Sequence, residues 1–415
     1  MRDESSELWR DSRPPHRALE MVVVVPVRDE ARHLTAALQA LASQLDLNGR
    51  PYEPAKFEIL LLANNCNDSS ARLARDFAGS HPQLALHVEE IELPVDDAHI
   101  GHVRRLLMDA ACRRLAQASE DQAFVLSTDG DTMVDRYWLA RTAEEFALGA
   151  DAVGGRIALD PCEGLDASTL RHHRYDAAYR LSVAKLESLV DPDPADPWPR
   201  HHQHFGASLA VRRAAYLAVG GIPAVRYLED EALVSAMRRA DLRIRHSPNV
   251  HVVTSSRRQG RVEVGLSWQL QRWASAPEAA KGMFVDDASH TANEIFARCR
   301  ARAAWNCDGA QDWNAMARAL GPALSVSDVW LRETAAATST FGAFWQQVCH
   351  RRHLATTVPQ VPIRQALRQL RELTRALAGA PARGLTTNLS CQQAPVPRRA
   401  TGLALALGSQ HRQAA

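Results

Sequence analysis

Phe124-Val125-Leu126-Ser127-Thr128-Asp129-Gly130-Asp131-Thr132 is the stretch on which the reading of this chain turns. Its first three residues form a short apolar run of the kind a fully buried strand uses, and two carboxylates come after it, one residue apart. Alternation along a strand sends i and i+2 to one side, so Asp129 and Asp131 can converge on a point. Like charges held together repel, and a hard divalent cation with oxygen ligands resolves the conflict. The competing reading is a tight Asp-Gly turn with Asp131 capping the next helix. The surroundings must decide.

Toward the N-terminus the chain alternates regularly. Met21-Val22-Val23-Val24-Val25 is a β-branched run that predicts a strand buried on both faces, ended by Pro26-Val27-Arg28-Asp29-Glu30. Leu34, Leu38, Leu41 and Leu45 recur at helical spacing. A second strand over 57–62 ends at Ala63-Asn64-Asn65-Cys66-Asn67-Asp68, with Asp68 or Ser69 capping a helix. A third strand over 84–93 and an amphipathic helix over 101–115 lead to the opening stretch. Strands alternating with helices predict a doubly wound α/β sheet, and such sheets bind ligands at the carboxyl ends of their strands. Pro26, Arg28, Asn64-Asn65 and Asp129-Gly130-Asp131 should therefore line one crevice.

Beyond it the pattern loosens. A strand over 152–158 carries a Gly154-Gly155 break, and residues 166–190 read as a polar helix. Residues 191–199 are a proline- and aspartate-rich loop, and His201, His202 and His204 beside it read as mobile rather than as a zinc site. A strand over 209–211 and a helix over 214–219 end at Gly220-Gly221, and Glu229-Asp230-Glu231 opens another helix. Residues 242–253 read as a hairpin-like strand region, and a helix over 262–274 bears Gln269, Arg272 and Trp273. The chain thus divides into a disordered leader (1–19), an α/β unit (20–275), a helical extension (276–379) and a disordered tail (380–415).

A chain of 415 residues is long for one domain, and its net charge of +1 gives no global field that would select nucleic acid. Seven scattered cysteines without a CxxC pair fit reduced thiols in a cytoplasmic protein. No apolar signal segment opens the chain, and its longest apolar run, 21–27, is far short of a membrane span. Near the C-terminus, Ile363, Leu367, Leu370, Leu373 and Leu377 make an apolar face flanked by Arg364, Arg368, Arg371 and Arg375. Such a helix either touches an anionic membrane peripherally or packs with its basic face in water.

In this order and at this spacing, the segments over residues 20–275 resemble family 2 glycosyltransferases of the GT-A fold. Val22 to Glu30 resembles the family's first strand and P-x-R-[ND]-E segment; 63–68 resembles the loop where the nucleobase is read, with Asn64-Asn65 where aspartates are usual. Gly101-His102-Val103-Arg104 is similar to G-x-A-R, and Asp129-Gly130-Asp131 to the metal-binding D-x-D. Gly206-Ala207-Ser208 and Gly220-Gly221 resemble the acceptor-side loop and the glycine pair after it. Glu229-Asp230-x-x-Leu233 matches the E-D-x-x-L segment that carries the base, and Gln269-Leu270-Gln271-Arg272-Trp273 the Q-x-x-R-W of polysaccharide synthases. Thr254 stands where many members have a metal-binding histidine, and the membrane helices of polymer-making members are absent from the sequence.

The resemblance implies transfer of a sugar from a nucleotide-diphosphate donor to a hydroxyl of a carbohydrate, lipid or small-molecule acceptor, with inversion. Asp131, with Asp129 beside it or on the ribose, would hold magnesium or manganese, both suited to oxygen ligands. Asp230, or else Glu229, would be the base; the helix dipole alone also favours acids there. Pro26, Arg28, Glu30, Asn65, Arg104 and Asp129 would contact the donor, joined by Arg257 and Arg258 from an arginine-rich loop that otherwise is a solvated basic loop. Gly206, Ala207, Ser208, Gln269, Arg272 and Trp273 would contact the acceptor, unless Trp273 is simply core. A sugar-nucleotide nucleotidyltransferase would carry a glycine-rich, lysine-bearing loop after the first strand, where Pro26 to Ala31 has neither; an inactive scaffold that binds a partner is the non-enzyme alternative.

Overall fold

The structure is a computed structural model that describes residues 8–10, 12–118, 123–258, 260, 264–275, 283–306, 310–355 and 357–379. The expected tail 380–415 lies outside the described residues. The strands of the main sheet are β1 (Met21–Val27), β2 (Phe57–Asn64), β3 (Leu86–Ile91), β4 (Phe124–Ser127), β5 (Thr132–Val134), β6 (Ala152–Leu159), β7 (Leu209–Arg212) and β8 (Ile244–Thr254). Their spatial order is β3-β2-β1-β4-β7-β6-β8-β5, with β3, β2, β1 and β4 parallel and β7 and β5 antiparallel to their neighbours. The expected doubly wound mixed α/β sheet is present, as is the mostly helical extension.

The helices interleave as α1 (Leu34–Ala42), α2 (Ser70–Ser80), α3 (Ile100–Ala118), α4 (Trp138–Ala147), α5 (Ala167–Val190), α6 (Arg213–Ala218), α7 (Glu229–Arg239) and α8 (Leu266–Ser275). Period-2 alternation divides β1 between two cores. Met21, Val23, Val25 and Val27 pack with Leu34, Leu38 and Phe77 on one face. Val22 and Val24 pack with Val103, Leu107 and Leu233 on the other.

Two expectations are corrected here. Residues 242–253 form one strand rather than a hairpin: β8 stays paired with β6, and Pro248-Asn249-Val250 is absorbed as a bulge between the pairs Gly155–Ser247 and Arg156–His251. Proline is tolerated at such an irregularity because no ladder donor is needed there. The leader is also ordered in part: Trp9 is buried in the second core, its indole N–H donating to the His87 carbonyl at 3.4 Å.

The C-terminal helices are α9 (Ala288–Trp305), α10 (Ala310–Leu324), α11 (Asp328–Ala337), α12 (Phe341–Ala355) and α13 (Ile363–Gly379), with a small ribbon of β9 (Phe284–Asp286) and β10 (Gln360–Pro362). Leu186 and Val190 of α5 share a core with Ala288 and Ile295 of α9 and Leu370 of α13. The apolar face of α13 is therefore spent on packing, and Ile363 and Leu367 are likewise buried. That face is not free to enter a membrane. Among the described residues, no helix is long and apolar enough to cross one.

Gly154 and Gly155 let the segment before β7 lie directly on β6. A Cβ on Gly154 would stand 2.3 Å from the Gln203 carbonyl oxygen, and one on Gly155 2.1 Å from Ser208 Oγ. Gly154→Ala should cost about 1–3 kcal/mol by overpacking, read as a lower urea midpoint at unchanged slope; a midpoint equal to wild type would show that the segment can lift off freely.

Candidate functional site

β4 ends at Ser127, so Asp129 and Asp131 lie beyond the strand. The Thr132 N–H donates to the Asp129 carbonyl at 3.1 Å, which makes Asp129 to Thr132 a β-turn. The turn half of the competing reading is thus correct, but the turn leads into β5 rather than into a helix. The turn, not strand alternation, places the two carboxylates, with Asp129 on Arg104 and Asp131 on Arg257. Gly130 fits closely inside it: a Cβ would sit 3.1 Å from Val27 Cγ2 and 3.3 Å from Glu30 Cγ.

Arg104, 3% exposed on α3, is the centre of the site. Its guanidinium donates to Asp129 Oδ1 at 3.0 Å, to Glu229 Oε1 at 2.9 Å, to the Gly206 carbonyl at 3.0 Å and to Ser127 Oγ. One side chain thereby ties the D-x-D turn to the first turn of α7 and to the segment before β7. The planar fork of arginine suits such a task, with donors aimed in several directions at once. Glycine at 206 leaves room for it, since a Cβ there would stand 2.4 Å from the guanidinium carbon.

On α7 the two candidate bases separate. Glu229 is buried against Arg104; burial pushes its carboxyl up to about 7 against the pull of Arg104, and Asp230 and Asp129 add to the rise. Asp230 is only half-buried, with Oδ2 accepting from the Gly206 N–H and Oδ1 from the Glu231 N–H, both at 2.7 Å. The residue before them, Leu228, has φ 57°. Asp29 (φ 53°) and Asn65 (φ 48°) share that left-handed backbone on loops at the ends of β1 and β2. Non-glycine residues accept this strain of about 1–3 kcal/mol where the surroundings over-determine the backbone, as functional sites often do.

The arginine loop folds onto the turn. Arg257 forms a fork with both Glu30 oxygens at 2.5 Å and stands 3.1 Å from Asp131 Oδ2. Glu163 holds that loop down, accepting from Ser255 Oγ at 2.7 Å and from the Ser256 N–H at 2.5 Å, while His33 lies 2.7 Å from its other oxygen. Glu30, Asp129, Asp131, Glu229 and Asp230 thus face two guanidiniums, Arg104 and Arg257. Burial pushes the Asp131 carboxyl up to about 6; Arg257 draws it back, and Asp129 and Glu30 raise it again. A buried Asp131 with Asp129 and Glu30 beside it offers carboxylate oxygens of the kind a divalent ion prefers. Thr254 serves this corner as a hydroxyl, bonded to Thr132 Oγ1 at 2.9 Å and 3.4 Å from Asp131 Oδ1.

Several of the sequence-predicted contact residues are engaged within the protein itself. The Asn65 amide is spent on the backbone of Leu93, donating at 2.9 Å and accepting at 3.1 Å. Pro26 lies buried within β1, paired with Leu62. Arg28 donates to the Ala98 carbonyl at 3.2 Å, and the half-exposed Arg258 faces Asp166 at 3.6 Å. Ala207 and Ser208 are buried, with Ser208 Oγ accepting from the Trp138 indole at 3.1 Å. Trp273 lies beside His172 and His173 of α5, and Arg272 sits over the Trp268 ring; no described contact joins them to the Arg104 cluster. The histidine loop is not loose: His201 and His204 are buried and hydrogen-bonded. Glu163, His33 and Ser127 carry no local sequence signal, because their partners lie far along the chain.

No family model matches the chain. It is similar to the glycosyltransferase AglE of Haloferax volcanii, 26% identical over 193 residues, which is 43% of this chain and 56% of that protein's length. Among solved structures it is similar to the mannosyltransferase PcManGT from Pyrobaculum calidifontis in complex with GDP-Man and Mn2+ (18% identity, 88% of each chain, TM-score 0.43). It is also similar to S. aureus TarS 1–349 in complex with UDP (13% identity, 87% of this chain and 91% of that one, TM-score 0.41).

Proposed function

We propose that the protein is a glycosyltransferase that moves a sugar from a nucleotide-diphosphate donor to an acceptor hydroxyl, inverting the anomeric carbon. The observation that carries this reading is the Arg104 junction, which brings the Asp129–Asp131 turn and the acidic start of α7 to one place. The partial similarity to a named glycosyltransferase supports it. Asp131 and Asp129 would hold Mg2+ or Mn2+, which when bound offsets charge on the departing diphosphate. Arg257 places a guanidinium at the same corner, where it would contact phosphate oxygens in place of Glu30 and Asp131. Asp230 accepts the proton of the attacking hydroxyl, and the Gly206 N–H and α7's first turn fix its orientation.

The test is release of nucleoside diphosphate from UDP-, GDP- and TDP-sugars with manganese or magnesium. Thermal shifts with each donor can guide the choice, since a bound ligand raises the melting point by mass action. Turnover should need the metal and fall at least about 100-fold in Asp131→Asn. Metal-independent turnover, or an Asn variant as active as wild type, would remove the reading.

A further inference from the structure

Four groups remain that the site as described does not use. Beside Asp230, Glu231 Oε2 lies 2.6 Å from His204 Nε2; His204 Nδ1 lies 3.0 Å from His246 Nε2; His246 Nδ1 lies 2.7 Å from Asp196 Oδ2. The string runs from a Glu231 side chain that is 46% exposed to an Asp196 side chain that is 3% exposed. Each of its three bonds needs one hydrogen.

Counting hydrogens fixes its state. Asp196 already accepts from Arg200, from Arg245 and from the His246 N–H, so it is a carboxylate and His246 Nδ1 must donate to it. Burial works to raise that carboxyl, but the bonds from His246 and the nearby arginine outweigh it and hold it at about 2. With both rings neutral and Glu231 ionised, two hydrogens would serve three bonds. Depending on the His204 tautomer, either His246 Nε2 and His204 Nδ1 would then meet lone pair to lone pair at 3.0 Å, or His204 Nε2 would meet the Glu231 carboxylate at 2.6 Å with no hydrogen between them. The string therefore holds a third proton. Burial disfavours a charge on the His246 ring, which puts that proton on the His204 side, next to Glu231. His201 makes the contrast: its Nδ1 accepts from the Gln203 N–H and its Nε2 donates to the Ser247 carbonyl, so it is satisfied as a neutral ring.

We propose that Glu231, His204, His246 and Asp196 act as one string of three shared protons, and that its third proton clamps the segment 204–206 to α7 and so positions Asp230. The proposal rests on the reading of Asp230 as the base. Glu231 grips His204 while Asp230 grips Gly206 two residues on, so two neighbouring acids hold one segment at two points. The charged groups facing the pair are Arg238 of α7, 3.7 Å from Glu231, Arg180 of α5, Arg200 and Arg245 on Asp196, and Asp230 itself; Glu145 lies behind Arg245, and the His201 and His202 rings lie alongside. The arginines favour release of the third proton and the two carboxylates favour its retention. The unfolded chain has no such set of partners for the third proton, so removing that proton at high pH takes away a contribution to stability that the folded string alone enjoys.

Glu231→Gln separates this from a plain ion pair. The glutamine amide donates to His204 Nε2, His204 Nδ1–H to His246 and His246 Nδ1–H to Asp196, so all three bonds form without an extra proton. Melting temperature and transfer kinetics are compared at pH 6.5 and pH 9 for wild type, Glu231→Gln and Glu231→Ala. Wild type should melt about 2–4 °C lower at pH 9 relative to the glutamine variant, and its kcat should fall about 10-fold with KM little changed. The glutamine variant should stay level between the two pH values, and the alanine variant should be low at both. A glutamine variant that tracks alanine, or one with the same pH dependence as wild type, overturns the string. Melting requires no transferase assay, so failure of the string and failure of the glycosyltransferase reading are told apart.

Discussion

Asp230→Asn should lower transfer by about 10²- to 10⁴-fold at saturating donor and acceptor, the contribution a positioned general base makes. Asparagine keeps the shape of the side chain, and its carbonyl oxygen can still accept the Gly206 N–H that the aspartate takes at 2.7 Å. It cannot take up a proton. The loss should therefore appear chiefly in kcat, with donor affinity close to wild type and the urea midpoint lowered only by the one bond, from the Glu231 N–H, that the asparagine amide cannot accept. Glu229→Gln should differ in kind. Glu229 is buried against Arg104, so its substitution weakens folding and donor handling together. If the asparagine variant keeps its rate within threefold while the glutamine variant loses it, the base is Glu229, and the assignment made from its burial is wrong.

The features legible in the sequence are local ones. The valine run of β1 can be read because each residue is buried against one core or the other, leaving no polar position to blur the signal. The strand-end loops can be read because a doubly wound sheet puts its ligands there. β8 reads wrongly because Ser247-Pro248-Asn249 has turn chemistry, and only pairing with β6 turns that chemistry into a bulge. Trp9 is invisible because its burial depends on the β3 region, some 80 residues away. The same holds within the site. Asp129, Asp131 and Asp230 sit in short motifs, whereas the His204–His246–Asp196 contacts join positions 42 and 50 apart. Asn65 shows the converse: a motif position whose amide is engaged by the backbone of Leu93, 28 residues on, a partner the motif does not announce.

Arg104→Met should destabilise the fold by about 3–5 kcal/mol, the cost of stranding a buried charge without its partner. The side chain is 4% exposed, and the Glu229 side chain it pairs with is 5% exposed. Methionine would leave that carboxylate, the Ser127 hydroxyl and the Gly206 carbonyl facing an apolar group. Asp129 should contribute less, because at 34% exposure water recovers part of its solvation. Chemical denaturation reads the loss as a lower midpoint at unchanged slope. Arg104→Lys should fall between, since one ammonium cannot reach acceptors on three elements. The decisive variant is Arg104→Met combined with Glu229→Leu. If the penalty is an unpaired buried carboxylate, removing it should return most of the lost stability, with a coupling of about 0.5–3 kcal/mol between the sites. The same double variant should remain inactive, because Arg104 also holds Asp129 and Gly206. A double variant no more stable than Arg104→Met alone would mean that the arginine stabilises through packing rather than charge, and the junction would lose its standing as the element that joins the two halves of the site.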